Sequence, residues 1–247
     1  MSLKKSRPVR ALIVGSLAAA LCLPAVASIP EDGGLDFQVL RGDSPLGEHR
    51  LSFIERDGAL EVLVTIDLEV TVGPFTFFRY SHENREIWRD GQLVSLVAQT
   101  DDDGAEYFVR AEQTPDGIRV ETKDGTQIVP AYLLSTSYWN YEIVEAERLI
   151  DTQKGKIREV STDLVGQMDV WVAGEVIPAR HYRMTGDLEI DLWYDDHDEW
   201  VKTAFEVNGE QIEYFRGGVP DNLDQVSFFA GEEEEYENRL LNNQNDR

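Results

Sequence analysis

Residues 57–72 read DGALEVLVTIDLEVTV, and this stretch sets the architecture of the chain. Apolar side chains stand at every even position from Leu60 to Val72, and polar side chains occupy most of the odd positions between them. A period of two predicts a β-strand with one buried face, and at about 3.3 Å per residue this strand would be roughly 43 Å long. A strand of that length favours a curled antiparallel sheet over a flat one.

Asp-Gly and Asn-Gly dipeptides recur along the chain and predict tight β-hairpins. Both central residues of a type I′ turn need positive φ, which Gly adopts freely and which Asp and Asn tolerate. Because three of these dipeptides are spaced 13 residues apart, they indicate a meander of hairpins. The six dipeptides are Asp57-Gly58, Asp90-Gly91, Asp103-Gly104, Asp116-Gly117, Asp124-Gly125 and Asn208-Gly209.

The predicted turns can be tested by the strand register that they impose. The first turn would pair Phe53 with Val62, and the last would pair Phe205 with Ile212, so that apolar side chains share one face. This agreement predicts an all-β fold: a single antiparallel meander curled into a barrel or half-barrel.

The segment from Gln92 to Thr100 does not satisfy the register test. The turn before it places Leu93 beside Trp88, whereas the turn after it pairs Leu96 with Ala111, and these pairs lie on opposite faces. Either the strand is buried on both sides or a bulge shifts its phase. We expect the bulge.

The first 27 residues have the pattern of a signal peptide. Four basic residues precede an uncharged run from Ala11 to Leu23, which is 13 residues long and too short to span a bilayer. Small residues follow at Ala25 and Ala27, the positions that signal peptidase requires, which predicts cleavage after Ala27. We therefore expect a periplasmic or secreted protein.

The charge of the chain excludes several classes of protein. Its 47 acidic and 23 basic residues give a net charge of −24, and loss of the four basic residues of the signal peptide brings this to −28. A nucleic-acid-binding protein needs a basic surface, so this class is excluded. The signal peptide also contains Cys22, the only cysteine, so the mature chain has no disulfide and depends on its apolar core for stability.

We expect one folded domain. The sequence divides into the signal peptide at 1–27, a single β domain at 28–231 and an acidic, partly disordered tail at 232–247. No later segment is apolar for the 18 residues that a membrane-spanning helix needs, so no membrane span is predicted.

One stretch departs from strand chemistry and predicts a short covering helix. Trp139, Ile143, Ala146 and Ile150 recur at helical spacing, and Asn140 is a candidate N-cap. We expect this helix to lie across one mouth of the barrel or across the concave face of the sheet.

Several motifs occur in an order that resembles a known family. Roughly residues 35–215 are similar to a bacterial family of secreted proteins with no assigned function, so the resemblance implies no reaction. The layout of curved strands with a covering helix is more distantly similar to periplasmic lipoprotein carriers and lipid-handling half-barrels, which implies a concave lipid-binding face by analogy of fold. The motifs are Glu86–Gly91, Thr100–Gly104, Ser137–Asn140, Asp151–Gln153 with Gly155, Gly186–Leu188 and Leu192–Asp195.

The sequence contains no G-x-S-x-G, H-E-x-x-H or Walker motif. A catalytic triad built on Ser135 or Ser137 stays open, because triads assemble in space from distant residues. The alternative is that these serines cap the covering helix.

Two acidic turns, at 101–104 and 195–198, are candidate metal sites. An EF-hand aligned on the first turn needs acidic residues where the chain has Gln99 and Arg110. The second turn lies between apolar strand residues, where a polar hairpin turn is expected anyway. We therefore predict no metal and no cofactor.

The strand from Phe75 to Arg89 carries the strongest candidate binding site, because its even face mixes aromatic and polar side chains. Ligand pockets have this composition: an aromatic wall with a few placed polar groups. His82 and Glu86 would contact a ligand head group, and the aromatic residues would hold its body. The alternative is that this face packs on a neighbouring strand. The candidate ligand-binding residues are Phe78, Tyr80, His82, Glu86, Trp88 and Trp139.

These observations lead to three functional hypotheses. The first is an exported, non-enzymatic protein that binds or carries a hydrophobic small molecule or lipid in the concave sheet. The second is an interaction module of the cell envelope, which would hold a basic protein partner through its acidic outer surface or tail. The third is a hydrolase. The oligomeric state stays open.

Overall fold

The computed structural model describes residues 29–30 and 33–220, so the predicted signal peptide and the acidic tail lie outside the described residues. Fifteen strands form one curled sheet that does not close on itself, in the order β8-β7-β6-β5-β4-β3-β2-β1-β15-β14-β13-β12-β11-β10-β9. All neighbouring strands are antiparallel except β9 and β10. The predicted all-β meander is therefore confirmed. The strands are β1 Gly34–Arg41, β2 Ser44–Arg56, β3 Ala59–Val72, β4 Phe75–Arg89, β5 Gln92–Asp102, β6 Ala105–Thr114, β7 Gly117–Thr122, β8 Gly125–Val129, β9 Leu134–Ser135, β10 Arg148–Ile150, β11 Ile157–Val172, β12 Glu175–Gly186, β13 Ile190–Tyr194, β14 Trp200–Val207 and β15 Glu210–Arg216.

Four of the six predicted hairpin turns are confirmed. Both of their central residues have positive φ, as a type I′ turn requires. The predicted pairs Phe53–Val62 and Phe205–Ile212 are present. The confirmed turns are centred on 57–58, 90–91, 103–104 and 208–209.

The predicted turns at Gly117 and Gly125 are wrong by one position. Thr114 pairs with Gly117 and Thr122 with Gly125, so each glycine is the first residue of a strand and the loop precedes it. Proline has a fixed φ that suits the first central position of a turn, which accounts for Pro115 there. In addition, the hydroxyl of Thr114 donates to the carbonyl of Gly117 at 2.8 Å, which supports this register.

The bulge predicted in β5 is confirmed. Ile87 pairs with Ser95 and Trp88 pairs with Leu93, so Val94 is the extra residue. The bulge lets Leu93 and Leu96 both point into the core, although an uninterrupted strand would place them on opposite faces.

The predicted covering helix is shorter than expected. A single 3₁₀ helix spans Tyr141–Glu145, and Asn140 caps it by accepting a hydrogen bond from the backbone N–H of Glu142 at 3.0 Å. The predicted continuation to Ile150 is wrong, because this residue lies in β10, where its carbonyl accepts a hydrogen bond from Thr136. Pairing with the two neighbouring strands replaces the second half of the helix.

The segment 130–151 follows the edge strand β8 and packs into one end of the barrel. We call this segment the plug. The ring of Trp139 makes edge-to-face contacts with Trp88 at 5.3 Å and with Phe53 at 5.4 Å, and Ile143 is fully buried beside them. One end of the barrel interior is therefore filled by side chains.

The β11–β12 hairpin crosses the outer face of the sheet and forms a second, smaller core there with β13 and β14. Its tip is tied to β15 by a hydrogen bond from the backbone N–H of Ala173 to the carbonyl of Arg216 at 2.9 Å. Within the described residues, no helix is long and apolar enough to cross a membrane. The second core consists of Val170, Ala179, Trp193, Val201 and Ala204.

Replacing Ala173 with glycine is expected to stabilise the protein. Ala173 has a φ of 50°, a left-handed conformation that costs a residue with a Cβ about 1–2 kcal/mol. Glycine removes this strain and adds a smaller entropic cost, so the net gain is about 0.5–1 kcal/mol. The control is Ala105→Gly at the exposed start of β6, which should lower stability. Equal effects of the two substitutions on the urea midpoint would contradict the prediction.

Candidate functional site

A cavity of about 790 Å³ occupies the barrel interior beyond the plug, and Thr136, Tyr138 and Asp151 of the plug form part of its lining. Its wall is apolar and comes from the inward faces of four strands. Val70 of β3 lies beside Phe78 of β4, and Phe205 of β14 and Ile212 of β15 extend the wall across the sheet.

The register of β3 against β4 divides the interior into layers. Three layers line the cavity: Val70 with Phe78, Leu68 with Tyr80, and Ile66 with His82. The next three layers lie deeper, where the plug fills the barrel. These are Val64 with Asn84, Val62 with Glu86, and Leu60 with Trp88.

The six candidate ligand-binding residues separate into two groups. Phe78, Tyr80 and His82 line the cavity. The other three lie outside the cavity in contact with one another, and they are 0%, 3% and 3% exposed: Glu86, Trp88 and Trp139. The expectation that all six surround one ligand fails because the plug occupies the end of the barrel where the second group lies.

Glu86 is the centre of a buried hydrogen-bond network that attaches the plug to β4. Its Oε1 accepts hydrogen bonds from Asn84 Nδ2 at 2.8 Å and from Ser137 Oγ at 2.7 Å. Its Oε2 accepts from the indole N–H of Trp88 at 2.8 Å and of Trp139 at 3.3 Å. The carboxyl group therefore joins two residues of the plug to two of the strand.

The same network bears on the two roles predicted for Ser135 and Ser137, which are a catalytic triad and a cap of the covering helix. Ser135 and Ser137 are buried, and their hydroxyls lie 2.5 Å apart, with Ser137 bonded to Glu86. Among the described residues, neither hydroxyl has a histidine as hydrogen-bond partner. Neither caps the helix, since Asn140 does.

His49 lies at the deep end of the cavity, and it is not among the candidate residues that the sequence predicts. It is 3% exposed, and neither of its ring nitrogens has a hydrogen-bond partner within the described part of the chain. Ile66 pairs with His49 on one side and with His82 on the other, so the two histidines lie on strands flanking β3 at one level. The period-two pattern of β2, where Leu51 and Phe53 also point inward, is the signal that could have found it.

Burial keeps both histidines uncharged at neutral pH. Burial, together with a smaller effect of the nearby His82, lowers the pKa of His49 from 6.5 to about 3. Burial also lowers the pKa of His82 to about 4, against an opposing effect of Asp151. His82 Nδ1 lies 2.8 Å from Thr100 Oγ1.

Three tyrosines complete the polar floor of the cavity: Tyr80, Tyr138 and Tyr214. Burial is the main cause that raises the pKa of each phenol well above 10, so all three stay protonated. No hydrogen bond joins any of these hydroxyls to another described residue. The floor therefore offers uncharged groups that can both donate and accept.

The charged groups nearest the floor are already engaged. Arg158 donates from Nε at 2.9 Å and from Nη2 at 2.5 Å to Asp151 Oδ2. The other carboxylate oxygen of Asp151 accepts from the backbone N–H groups of Gln153 and Lys154. This cation is therefore already neutralised by a carboxylate.

The two acidic turns have structural roles. Asp101 Oδ1 accepts from the backbone N–H of Gly104 at 2.7 Å. Asp195, Asp196 and His197 place ligand atoms within 4.8 Å of one another, but Asp195 Oδ1 already accepts from two backbone N–H groups of its own turn. Both arrangements are those of ordinary polar turns.

The fold and its interior define an open β-barrel-like protein that is plugged at one end and hollow at the other. The model of a domain of unknown function, DUF6134, matches residues 37–216, and the chain belongs to this family. This agrees with the resemblance to a family that has no assigned function.

A solved structure supports the same fold. The crystal structure of a beta-barrel-like protein of domain of unknown function DUF1849 from Brucella abortus is similar, with a TM-score of 0.52 and 10% sequence identity. The similarity covers 74% of this chain and 94% of that chain, and at this identity it concerns the fold alone. No curated protein shows a significant sequence match.

Proposed function

We propose that this protein is exported and binds an amphipathic or lipid-like molecule in the cavity without transforming it. The observation that carries the proposal is the composition of the interior, an apolar wall above a floor that presents uncharged imidazole and phenol groups. A volume of about 790 Å³ lies within the range of small-molecule and lipid sites, which hold a ligand by apolar contact and orient it with few polar groups.

The mouth of the cavity supports entry of an apolar ligand. Phe77 is 65% exposed and Val207 is 45% exposed, and both line the cavity near the ends of the β3–β4 and β14–β15 hairpins, which flank the β1–β2 hairpin. Exposed apolar side chains around a cavity are typical of ligand-binding surfaces. The outer surface is strongly acidic, which disfavours direct contact with anionic bilayers and favours a ligand held inside.

The proposed export rests on the signal-peptide pattern of residues 1–27. Expression of the full chain in a Gram-negative host, followed by fractionation, tests it together with binding. Native mass spectrometry of the periplasmic fraction should show a chain that begins at Ser28 and carries a bound molecule. A full-length chain in the cytoplasm would contradict export.

Filling the cavity is expected to abolish binding of an apolar probe. Leu68→Trp places an indole in the cavity wall, and we expect it to weaken binding of the uncharged dye phenylnaphthylamine by about tenfold or more. The control is Leu63→Trp, on the opposite face of the same strand, where the side chain points out of the barrel. Dye fluorescence measures both affinities.

Comparison of the two variants distinguishes dye bound in the cavity from dye bound to other hydrophobic surfaces. Circular dichroism confirms that each is folded before titration. Equal dye affinity for Leu68→Trp and Leu63→Trp would place the dye outside the cavity and would overturn the proposal, as would the absence of dye binding by the wild type.

A further inference from the structure

His49 is a buried polar side chain whose hydrogen-bonding capacity is unused. A neutral imidazole has one N–H donor and one acceptor nitrogen, and neither has a partner in the described residues. The ring is packed between Trp200, at 5.4 Å between ring centroids, and Tyr214, at 5.6 Å. A buried polar group without a partner destabilises a fold, so a ligand group that satisfies it would gain affinity.

The chemistry of the floor limits what that ligand group can be. His82 and the hydroxyls of Tyr80, Tyr138 and Tyr214 surround the same end of the cavity, and all are uncharged at neutral pH. A ligand hydroxyl can donate to an imidazole nitrogen and accept from a phenol at the same time. The floor is therefore complementary to a group that both donates and accepts.

Charged head groups fit this floor poorly. Four acidic residues and two arginines line the cavity, so the lining carries a net negative charge that opposes a carboxylate. The deep arginine, Arg158, is already paired with Asp151. The net charge of the lining would attract an ammonium group, but Asp151, the carboxylate that acts on His82 and Tyr138, is already paired with Arg158. An ammonium group at the floor would therefore lose its hydration without gaining that carboxylate as a partner.

We infer that the cavity selects an amphipathic molecule with an uncharged hydroxyl head group, which hydrogen-bonds to His49 and the tyrosine hydroxyls while its apolar chain lies along β3 and β4. This inference deepens the proposed function and depends on it. The apolar wall accepts the chain, and the floor determines which head group is bound.

Three ligands that share one chain test the head-group preference. Decanol, decanoate and decylamine are titrated at pH 7 in competition with phenylnaphthylamine. Decanol is expected to bind about tenfold more tightly than either charged analogue, since an unpaired buried charge costs more than a paired hydroxyl. Equal or tighter binding of decanoate or decylamine would overturn the head-group inference and leave the dye-binding cavity in place.

His49→Leu tests the contact itself, because leucine cannot form hydrogen bonds and matches the apolar neighbours. We expect the ratio of decanol affinity to dye affinity to fall about tenfold, and we expect the melting temperature of the free protein to rise. A purely structural histidine would behave differently, since its loss would lower the melting temperature and leave the preference for decanol intact.

Tyr80→Phe provides a second variant that preserves the shape of the cavity. It removes one hydroxyl from the floor and should narrow the difference between the affinities for decanol and decanoate. An unchanged preference in both His49→Leu and Tyr80→Phe would overturn the inference. If neither the dye nor any of the three ligands binds the wild type, the proposed function fails with it.

Discussion

Replacing Glu86 with alanine is expected to lower the free energy of unfolding by about 4 kcal/mol. The substitution removes the acceptor of four buried donors, on Asn84, Trp88, Ser137 and Trp139, and Glu86 itself is fully buried. Each buried donor left without a partner costs about 1–3 kcal/mol before the structure relaxes. Urea unfolding followed by tryptophan fluorescence measures the loss.

The same strand provides the control for this substitution. Glu83 lies three residues earlier on the exposed face of β4, and its replacement by alanine should change stability by less than about 0.5 kcal/mol. Hydrogen exchange in Glu86→Ala should increase most in the plug, because the lost bonds join residues 130–151 to the strand. A Glu86→Ala protein within about 1 kcal/mol of the wild type would refute the structural role of the network.

Lowering the pH from 7 to 5 is expected to remove about 4 kcal/mol of stability through His49 and His82, roughly 2 kcal/mol from each. In the unfolded chain both histidines take up protons below about pH 6.5, whereas the folded protein holds the pKa values near 3 and 4. The unfolded state therefore binds more protons, and stability falls as the pH falls through 6.5. The loss levels off only near the folded pKa values.

A histidine variant isolates this effect from the titration of carboxylates. His49→Leu should be more stable relative to the wild type at pH 5 than at pH 7, by about 2 kcal/mol. His197, whose side chain is 76% exposed, provides the control, because His197→Leu should show no such pH-dependent difference. Urea midpoints at the two pH values give the comparison. If the wild type and His49→Leu lost equal stability between pH 7 and pH 5, the folded protein would protonate the ring of His49 readily, and the prediction would be wrong.

Much of the fold could be predicted from local patterns. Positive φ at Asp-Gly and Asn-Gly fixes the register of a hairpin over short sequence distances, which is why four turns and the bulge at Val94 were predicted correctly. The turns before Gly117 and Gly125 were misplaced because the same dipeptide also fits a loop that ends one residue earlier. The covering helix was overextended because Ile150 pairs with Ser135 and Ile157 in the sheet, and helical spacing alone does not reveal those partners.

The candidate site was predicted only in part. The alternation of β4 identified Phe78, Tyr80 and His82 correctly as inward-facing residues of one strand. The same alternation could not show that Glu86 lies beneath the plug, since periodicity assigns a face and carries no information about depth. His49 was missed because one inward-facing histidine in a strand is unremarkable until its neighbours are known.

The amino-acid sequence by itself determined the inward and outward faces of the strands and most hairpin registers, because both follow from interactions between residues close along the chain. Only the tertiary structure decided which part of the interior is filled and which is hollow. That division depends on contacts such as Ser137 with Glu86, which join residues 51 positions apart. It is these long-range contacts that leave His49 and the tyrosines facing a cavity.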